Sequence, residues 1–329
     1  MPDSAYDCIV IGSGPGGYVA AIRAAQLGMR TAVVEKNAIG GRCLNYACIP
    51  AKVVLRSADI LSEIDDAAEF GLVVEGRSVD FARVQERRKR VVRTMTGGVS
   101  GLLRKNGIDV IEGLGAVTAD ANVVVDGRTY EARRGVIIAT GSVKLPIPGT
   151  QFGGRVIGTE EAWALEELPR SLAVVGAGAS GAEIASAYAR LGTEVMLFEA
   201  LDRVLPTEDA EISRLAERGL RRQGMRIFTR TLVRDVEPGE RSVRFAFGDQ
   251  TAEVEWLVIA AGRGPDAEGL GLDEAGIKRT DRGLIEVDGA LRTSVRGVWA
   301  IGDIVPGPAL AHKASEEGII AADDIAGLA

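Results

Sequence analysis

Residues Asp7 to Lys36 read DCIVIGSGPGGYVAAIRAAQLGMRTAVVEK. An apolar run, Cys8 to Ile11, leads into Gly12-x-Gly14-x-x-Gly17. A helix-like stretch follows, then a second apolar run, Thr31 to Val34, which ends at Glu35. The pattern predicts strand, tight turn, helix and parallel strand. The first glycine permits the turn, the second lets backbone approach a pyrophosphate, and the third lets helix and strand pack closely. Phosphates then sit on the N–H groups at the positive end of the helix. The closing acid accepts hydrogen bonds from a ribose diol.

The device occurs twice. Ser171 to Ala200 read SLAVVGAGASGAEIASAYARLGTEVMLFEA, with a strand over Leu172 to Val175, glycines at Gly176, Gly178 and Gly181, and Glu199 as the closing acid. In both copies the acid lies 23 residues after the first glycine. A lone glycine pattern is weak evidence, but here each has its flanking strands, helix and acid. Glu199 stands where a basic residue would meet a 2′-phosphate, so NAD(H) is preferred over NADP(H). Arg203, four residues on, falls after the expected strand end. Two sites in one chain suggest a bound flavin and a diffusible nicotinamide. Periodicity alone does not say which is which.

Length bounds the rest. A chain of 329 residues with 46% hydrophobic content and 42 glycines suggests two domains with ample cores. A net charge of −7, from 39 basic and 46 acidic residues, argues against a nucleic-acid partner. The basic run RVQERRKRVVR, Arg83 to Arg93, reads as the solvated face of a helix. No segment approaches the ~20 apolar residues of a membrane span. Asp3 and Asp7 precede the first strand, against a signal peptide, and three cysteines do not make a secreted disulfide framework. A cytoplasmic protein is the expectation.

Two of the three cysteines, Cys43 and Cys48, fall in IGGRCLNYACIPAK, Ile39 to Lys52. A metal site is disfavoured, because structural zinc wants about four N or S ligands and only Cys8 and His312 remain. A structural staple gains little from so small a loop. A redox pair and two unrelated buried thiols stay open. An ideal helix holds positions i and i+5 roughly 8–9 Å apart, whereas a disulfide wants Cα atoms within about 7 Å. The segment must be distorted if the two bond.

GGRCLNYACIPAK resembles the active-site segment of the dihydrolipoamide dehydrogenase family, within the pyridine nucleotide–disulfide oxidoreductases. The resemblance extends to YDCIVIGSGPGGYVAAIRAAQLG, to IIATGS (Ile137 to Ser142), to AAGRGPD (Ala260 to Asp266), and to VRGVWAIGDIVPGPALAHKASEEG (Val295 to Gly318). It implies an α/β fold of two Rossmann-like three-layer (ββα-type) nucleotide-binding domains. The NAD domain, residues 144–265, would be inserted in an FAD domain made of 1–143 and 266–329. Gly12, Gly14 and Gly17 would hold the FAD pyrophosphate, Glu35 the adenosine ribose, and Gly115 and Ala116 the adenine region. Asp303 would accept from the ribityl chain, and Ala311 would lie near the isoalloxazine. The cofactor-binding set further takes in Pro15, Lys36, Gly41, Arg42, Thr140, Gly141, Ser142, Gly302, Leu310, Ser180 and Gly262.

The family chemistry passes a hydride between NAD(H) and FAD and electrons on to a disulfide. By position, Cys48 would be the thiol beside the flavin and Cys43 the one that meets a lipoyl-type disulfide, small or protein-bound. Lys52 would lie near the flavin and pair with Glu183. Two departures stand in the motif: Ala47 replaces the usual glycine and Ala51 the usual serine. If position 47 needed a positive φ, alanine would cost about 1–2 kcal/mol.

Family members continue into an interface domain that supplies a His–Glu base. The resemblance leads us to expect a chain without that domain, whose single histidine, His312, matches the flavin-side AHKA position. The expectation is that NADH reduces the flavin while lipoamide turnover is weak unless a lipoyl carrier or a separate interface subunit supplies a base. The alternatives are an NADH diaphorase or electron-transfer flavoprotein, and a non-catalytic nucleotide-binding subunit.

Overall fold

The computed structural model describes residues 4–328. Asp3 and the outermost ends of the expected domain ranges lie outside the described residues. Along the chain come β1 (Ala5–Ile11), α1 (Pro15–Gln26), β2 (Thr31–Glu35), α2 (Gly41–Asn45), α3 (Cys48–Asp65), α4 (Phe81–Lys105), β3 (Asp109–Glu112), β4 (Gly115–Val117), β5 (Val123–Val125), β6 (Arg128–Ile138) and β7 (Ser142–Lys144). Then follow β8 (Val156–Gly158), α5 (Thr159–Ala162), β9 (Ser171–Val175), α6 (Ala179–Leu191), β10 (Glu194–Phe198), α7 (Ala210–Arg222) and β11 (Arg226–Phe228). The last elements are β12 (Val233–Pro238), β13 (Val243–Phe247), β14 (Gln250–Val254), β15 (Trp256–Ile259), β16 (Arg263–Pro265), β17 (Val298–Ala300) and α8 (Ala311–Ala326).

Two compact units result. The first comprises Met1–Asn45, Arg93–Val143 and Arg263–Ala329, the second Tyr46–Val92 and Lys144–Gly262. In the first, the sheet runs β3-β2-β1-β6-β5-β4, with β17 also on β6. β1 pairs in parallel with β2 and β6, and β17 in parallel with β6, while β5 pairs antiparallel with β6 and β4. Strand alternation sends Ile9, Ile11, Ala32, Val34, Val136 and Ile138 to one face, where they pack against Val117, Val123 and Val125. Cys8, Val10, Val33 and Ile137 fall on the other face and are buried as well. Burial on both faces is what a parallel sheet requires and why these runs are continuously apolar.

The C-terminal helix α8 lies on α1 at very close range. A Cβ at Gly318 would stand 2.6 Å from the carbonyl oxygen of Gly16. Arg23 Nε meets Asp323 Oδ1 at 2.6 Å across the same helix pair. Further along α8, Asp324 accepts from Arg292 Nε at 2.7 Å and from Trp299 Nε1 at 2.9 Å.

The second unit repeats the plan. A five-stranded parallel sheet runs β11-β10-β9-β15-β8, beside an antiparallel sheet β12-β13-β14. Ala173, Val175, Met196, Phe198, Leu257 and Ile259 face the antiparallel layer, where Phe198 packs on Phe245 and Phe247 at centroid distances of 5.5 and 5.0 Å and, within its own sheet, on Phe228 of β11 at 5.0 Å. Leu172, Val174, Val195, Leu197 and Val258 face the helices, including Ala51, Val54, Ala58 and Leu61 of α3. Each unit is therefore a helix layer, a parallel sheet and an antiparallel β layer.

The basic run forms the expected helix with Arg83, Arg87, Lys89, Arg90 and Arg93 exposed, and one arginine departs from that solvated face. Phe81, Val84, Gln85 and Arg88 recur at helical spacing and turn inward together. Gln85 and Arg88 are buried, Arg88 Nε donates to Gln85 Oε1 at 2.5 Å, and Gln85 Nε2 donates to the Trp163 carbonyl at 3.3 Å. Burial lowers the Arg88 pKa from its ordinary value.

Two outcomes test this packing. Gly318→Ala should destabilise the chain by about 1–3 kcal/mol, because the new methyl meets backbone. Gly219→Ala in α7, where a Cβ would meet nothing within 4 Å, should stabilise it by about 0.5–1 kcal/mol. Urea unfolding of both variants reads the signs. The Arg292 hydrogen bond also depresses the Asp324 pKa. A depressed carboxylate contributes stability above the ordinary carboxylate range and loses it as pH falls through its folded value. The gap in urea midpoint between the native chain and Asp324→Asn should hold from about pH 5 to 8 and close below about pH 4.

Candidate functional site: twin dinucleotide loops and a disulfide

The two glycine devices superimpose in their contacts. Gly12 and Gly176 both have φ +102°, and a Cβ on either would lie about 2.5–2.6 Å from the carbonyl oxygen of Ala139 or Ala260. A Cβ at Gly17 would stand 1.9 Å from the Gly12 carbonyl, and one at Gly181 would stand 1.9 Å from that of Gly176. No side chain fits at these four positions. At Gly14 and Gly178 a Cβ would meet nothing within 4 Å. It would instead obstruct a ligand approaching the helix end. Gly14 and Gly178 are the N-cap residues of α1 and α6, and neither helix has a side-chain cap. These backbone amides fit a pyrophosphate. Pro15 opens α1 at its first helical position, and Ser180 is exposed in the first turn of α6.

The closing acids share a second role. Glu35 Oε2 accepts from Ser13 N at 2.9 Å and Oε1 from Asn37 N at 2.9 Å. Glu199 Oε2 accepts from Ala177 N at 2.8 Å and Oε1 from Leu201 N at 2.9 Å. Each carboxylate pins the glycine turn to the strand end; of about four acceptor sites, Glu199 keeps two, and Glu35, which also accepts from Ser13 Oγ, keeps one. Ser13 was not singled out in the sequence. It is fully buried, donates from Oγ to Glu35 at 2.5 Å and accepts from Gly40 N at 3.1 Å. Its only sequence signal was its place inside the glycine turn.

Other expected cofactor residues gather in the first unit. A Cβ at Gly41 would lie 2.6 Å from Gly14 Cα, so Gly41 and Arg42 begin α2 against the first loop. Lys36 Nζ pairs with Asp266 Oδ2 at 2.8 Å. Thr140 Oγ1 donates to the Asp266 carbonyl at 2.8 Å, and Asp266 N donates to the Gly141 carbonyl at 3.0 Å. Gly115 is buried and Ala116 half-buried in β4. Ser142 Oγ donates to Asp303 Oδ2 at 2.8 Å. Leu310 and Ala311 are exposed where α8 begins, and His312 beside them is exposed too. Gly262 closes the second unit's last stretch and is exposed.

Cys43 and Cys48 form a disulfide. The distortion that such a bond demands is present. α2 ends at Asn45, α3 starts at Cys48, and Ala47 between them has φ −128° and ψ −89°. Alanine at 47 therefore carries no left-handed strain. Cys8 is free and buried, and burial pushes its thiol up to about 12.

Cys48 is the first residue of an 18-residue helix. Two ion pairs set how α3 lies in the second unit. Lys52 Nζ meets Glu183 Oε1 at 2.7 Å, and Arg190 Nη1 meets Asp59 Oδ1 at 2.5 Å. Both partners are 131 residues apart. The same offset separates Cys48 from Ala179, the first residue of α6. The two helices therefore run parallel and in step, with both positive ends on one side. Among the described residues, no group of three or more His, Cys, Asp or Glu is placed to hold a metal ion.

Residues 6–318 match the family described as pyridine nucleotide-disulphide oxidoreductase. The chain belongs to that family. The dihydrolipoyl dehydrogenases of Chlamydia pneumoniae and Geobacillus stearothermophilus are 40% and 42% identical to it, over 98% of this chain and 70% of each relative. Among solved structures, LpdA from Mycobacterium tuberculosis aligns with a TM-score of 0.89 at 30% identity, over 98% of this chain and 73% of LpdA. The HOCl-induced flavoprotein disulfide reductase RclA from Escherichia coli aligns with a TM-score of 0.86 at 30% identity, over 97% of this chain and 71% of RclA. Such pyridine nucleotide-disulphide oxidoreductases are flavoprotein disulfide oxidoreductases that use FAD and NAD(H). No helix among the described residues is long and apolar enough to cross a membrane.

Alkylation checks the cysteine assignment. The native chain should take up no label at Cys43 or Cys48 before reduction. Dithiothreitol should expose both, and Cys8 should react only after unfolding, as read by peptide mass.

Proposed function

We propose that the chain moves electrons between NAD(H) and a lipoyl-type disulfide through FAD and the Cys43–Cys48 pair. The first glycine device, Gly12, Gly14, Pro15 and Gly17, takes the FAD pyrophosphate, and Glu35 takes the adenosine ribose. The second, Gly176, Gly178, Ser180 and Gly181, takes the NAD(H) pyrophosphate, with Glu199 on the adenosine ribose. Glu199 is buried at 7% exposure, and its carboxylate repels a 2′-phosphate, which favours NAD(H) over NADP(H).

The observation that carries the reading is a disulfide sulfur on the first residue of α3, in step with the start of α6. When bound, FAD supplies a two-electron carrier between a hydride donor and a disulfide. The rest falls to the protein. Cys48 sits at a helix N-terminus, where the dipole favours thiolate over thiol. Lys52, one turn on, adds a positive charge whose direction is held by Glu183. Cys43, in the five-residue helix α2, is the sulfur that meets the substrate disulfide. Reduction is balanced when NADH and one proton give NAD⁺ and two cysteine thiols.

One equivalent of NADH, added anaerobically to the FAD-loaded chain, should create two new alkylatable thiols, Cys43 and Cys48. Cys43→Ser should still pass electrons from NADH to a dye and should lose disulfide reduction to background. FAD binding with no NADH-dependent thiols would overturn the proposal.

A further inference from the structure

We infer that Arg263, acting through Ser142, is a positioning residue for Asp303, and that Ser142 serves as this relay rather than as a direct contact to the cofactor. The inference rests on the proposed role of Asp303 at the flavin ribityl chain. All three residues belong to the first unit. Ser142 begins β7 and Arg263 begins β16, and these two strands pair with each other. Along the chain, they lie where the first unit is left after Val143 and rejoined at Arg263.

Hydrogen-bond direction makes the case. Arg263 Nε lies 2.9 Å from Ser142 Oγ, and Arg263 Nη2 lies 2.5 Å from the Ser142 carbonyl oxygen. A guanidinium only donates, so the serine oxygen must accept from it. The single hydroxyl proton is then committed to Asp303 Oδ2, 2.8 Å away. A hydroxyl that accepts from a cation is a stronger donor to a carboxylate, because the two bonds polarise in the same sense. One carboxylate oxygen is thus fixed by the protein, and Oδ1 is oriented to accept from an incoming hydroxyl.

The backbone beside Asp303 is held independently. Gly302, at φ +80°, donates from N to Glu317 Oε2 at 2.7 Å and accepts at its carbonyl from Lys313 Nζ at 3.2 Å. Glu317 and Lys313 pair with each other at 2.9 Å. Helix α8 therefore sets where Asp303 stands, and Arg263 and Ser142 set which way its carboxylate points.

A double-mutant cycle on the full chain tests this, with the FAD dissociation constant of the apoprotein read by quenching of flavin fluorescence. Ser142→Ala and Arg263→Met should each weaken FAD binding about tenfold, the scale of one hydrogen bond to a charged group. In an Asp303→Ala background, each should change binding less than about twofold, since the group they orient is gone. Arg263→Lys, which can still donate, should recover part of the loss. Equal losses in both backgrounds would assign a general structural role and overturn the inference. So would a Ser142→Ala loss that persists without Asp303, which would make Ser142 a direct contact, or no loss in the native background. A native chain that binds no FAD would instead sink the flavin reading itself, and the inference with it.

Discussion

In each unit a helix backbone must come within touching distance of a strand-end carbonyl. The oxygens of Gly12 and Gly176 occupy the space that a side chain on Gly17 or Gly181 would need, 1.9 Å from where its Cβ would be. That contact sets the start of α1 and α6 against their sheets. It also turns the uncapped helix ends toward the open side of the loop, where anion binding follows from the backbone alone. Glu35 and Glu199 complete the constraint. Each fastens the turn with one carboxylate oxygen and the strand's continuation with the other.

In both units a parallel helix flanks the glycine-turn helix, α8 on α1 and α3 on α6. The second is set apart because its flanking helix begins with a disulfide cysteine. Packing of Ala51, Val54, Ala58 and Leu61 with Ile184, Ala185, Ala187, Tyr188 and Leu191 supplies the adhesion. Small residues allow a close approach but specify little about sliding. The Lys52–Glu183 and Asp59–Arg190 pairs, partly exposed and individually worth about 1 kcal/mol or less, are better understood as setting register than as adding stability. A slip of one turn, about 5.4 Å, would break both.

The site was more legible than its support. Gly12, Gly17, Glu35 and their counterparts declare themselves because few residue types satisfy the geometry, so spacing alone is informative. Lys52 and Glu183 could be named only through family resemblance, since two helix charges 131 residues apart carry no local signal. Ser13, Arg263, Lys313 and Glu317 went unnoticed. Their partners lie 11 to 121 residues away in the chain, and polar residues in loops have many ordinary explanations. Arg88 shows the opposite failure. A run of charge reads as solvated, yet helical periodicity turns one arginine of the run into the core beside Gln85.

By itself the sequence determined two βαβ units with glycine-rich turns and the parallel strands within them, and it left the close cysteine pair open until the family resemblance was drawn. The two units follow from short-range constraints: glycine where a Cβ cannot fit, apolar runs where both sheet faces are covered, an acid at a strand end. Only the tertiary structure decided that the helix breaks at Ala47 and lets the cysteines bond, that α3 lies in step with α6, and that Ser142 is spoken for by Arg263 and Asp303. Each of these depends on which distant groups meet. Hydrogen bonds and ion pairs act over a few ångströms, and sequence distance gives no measure of that separation.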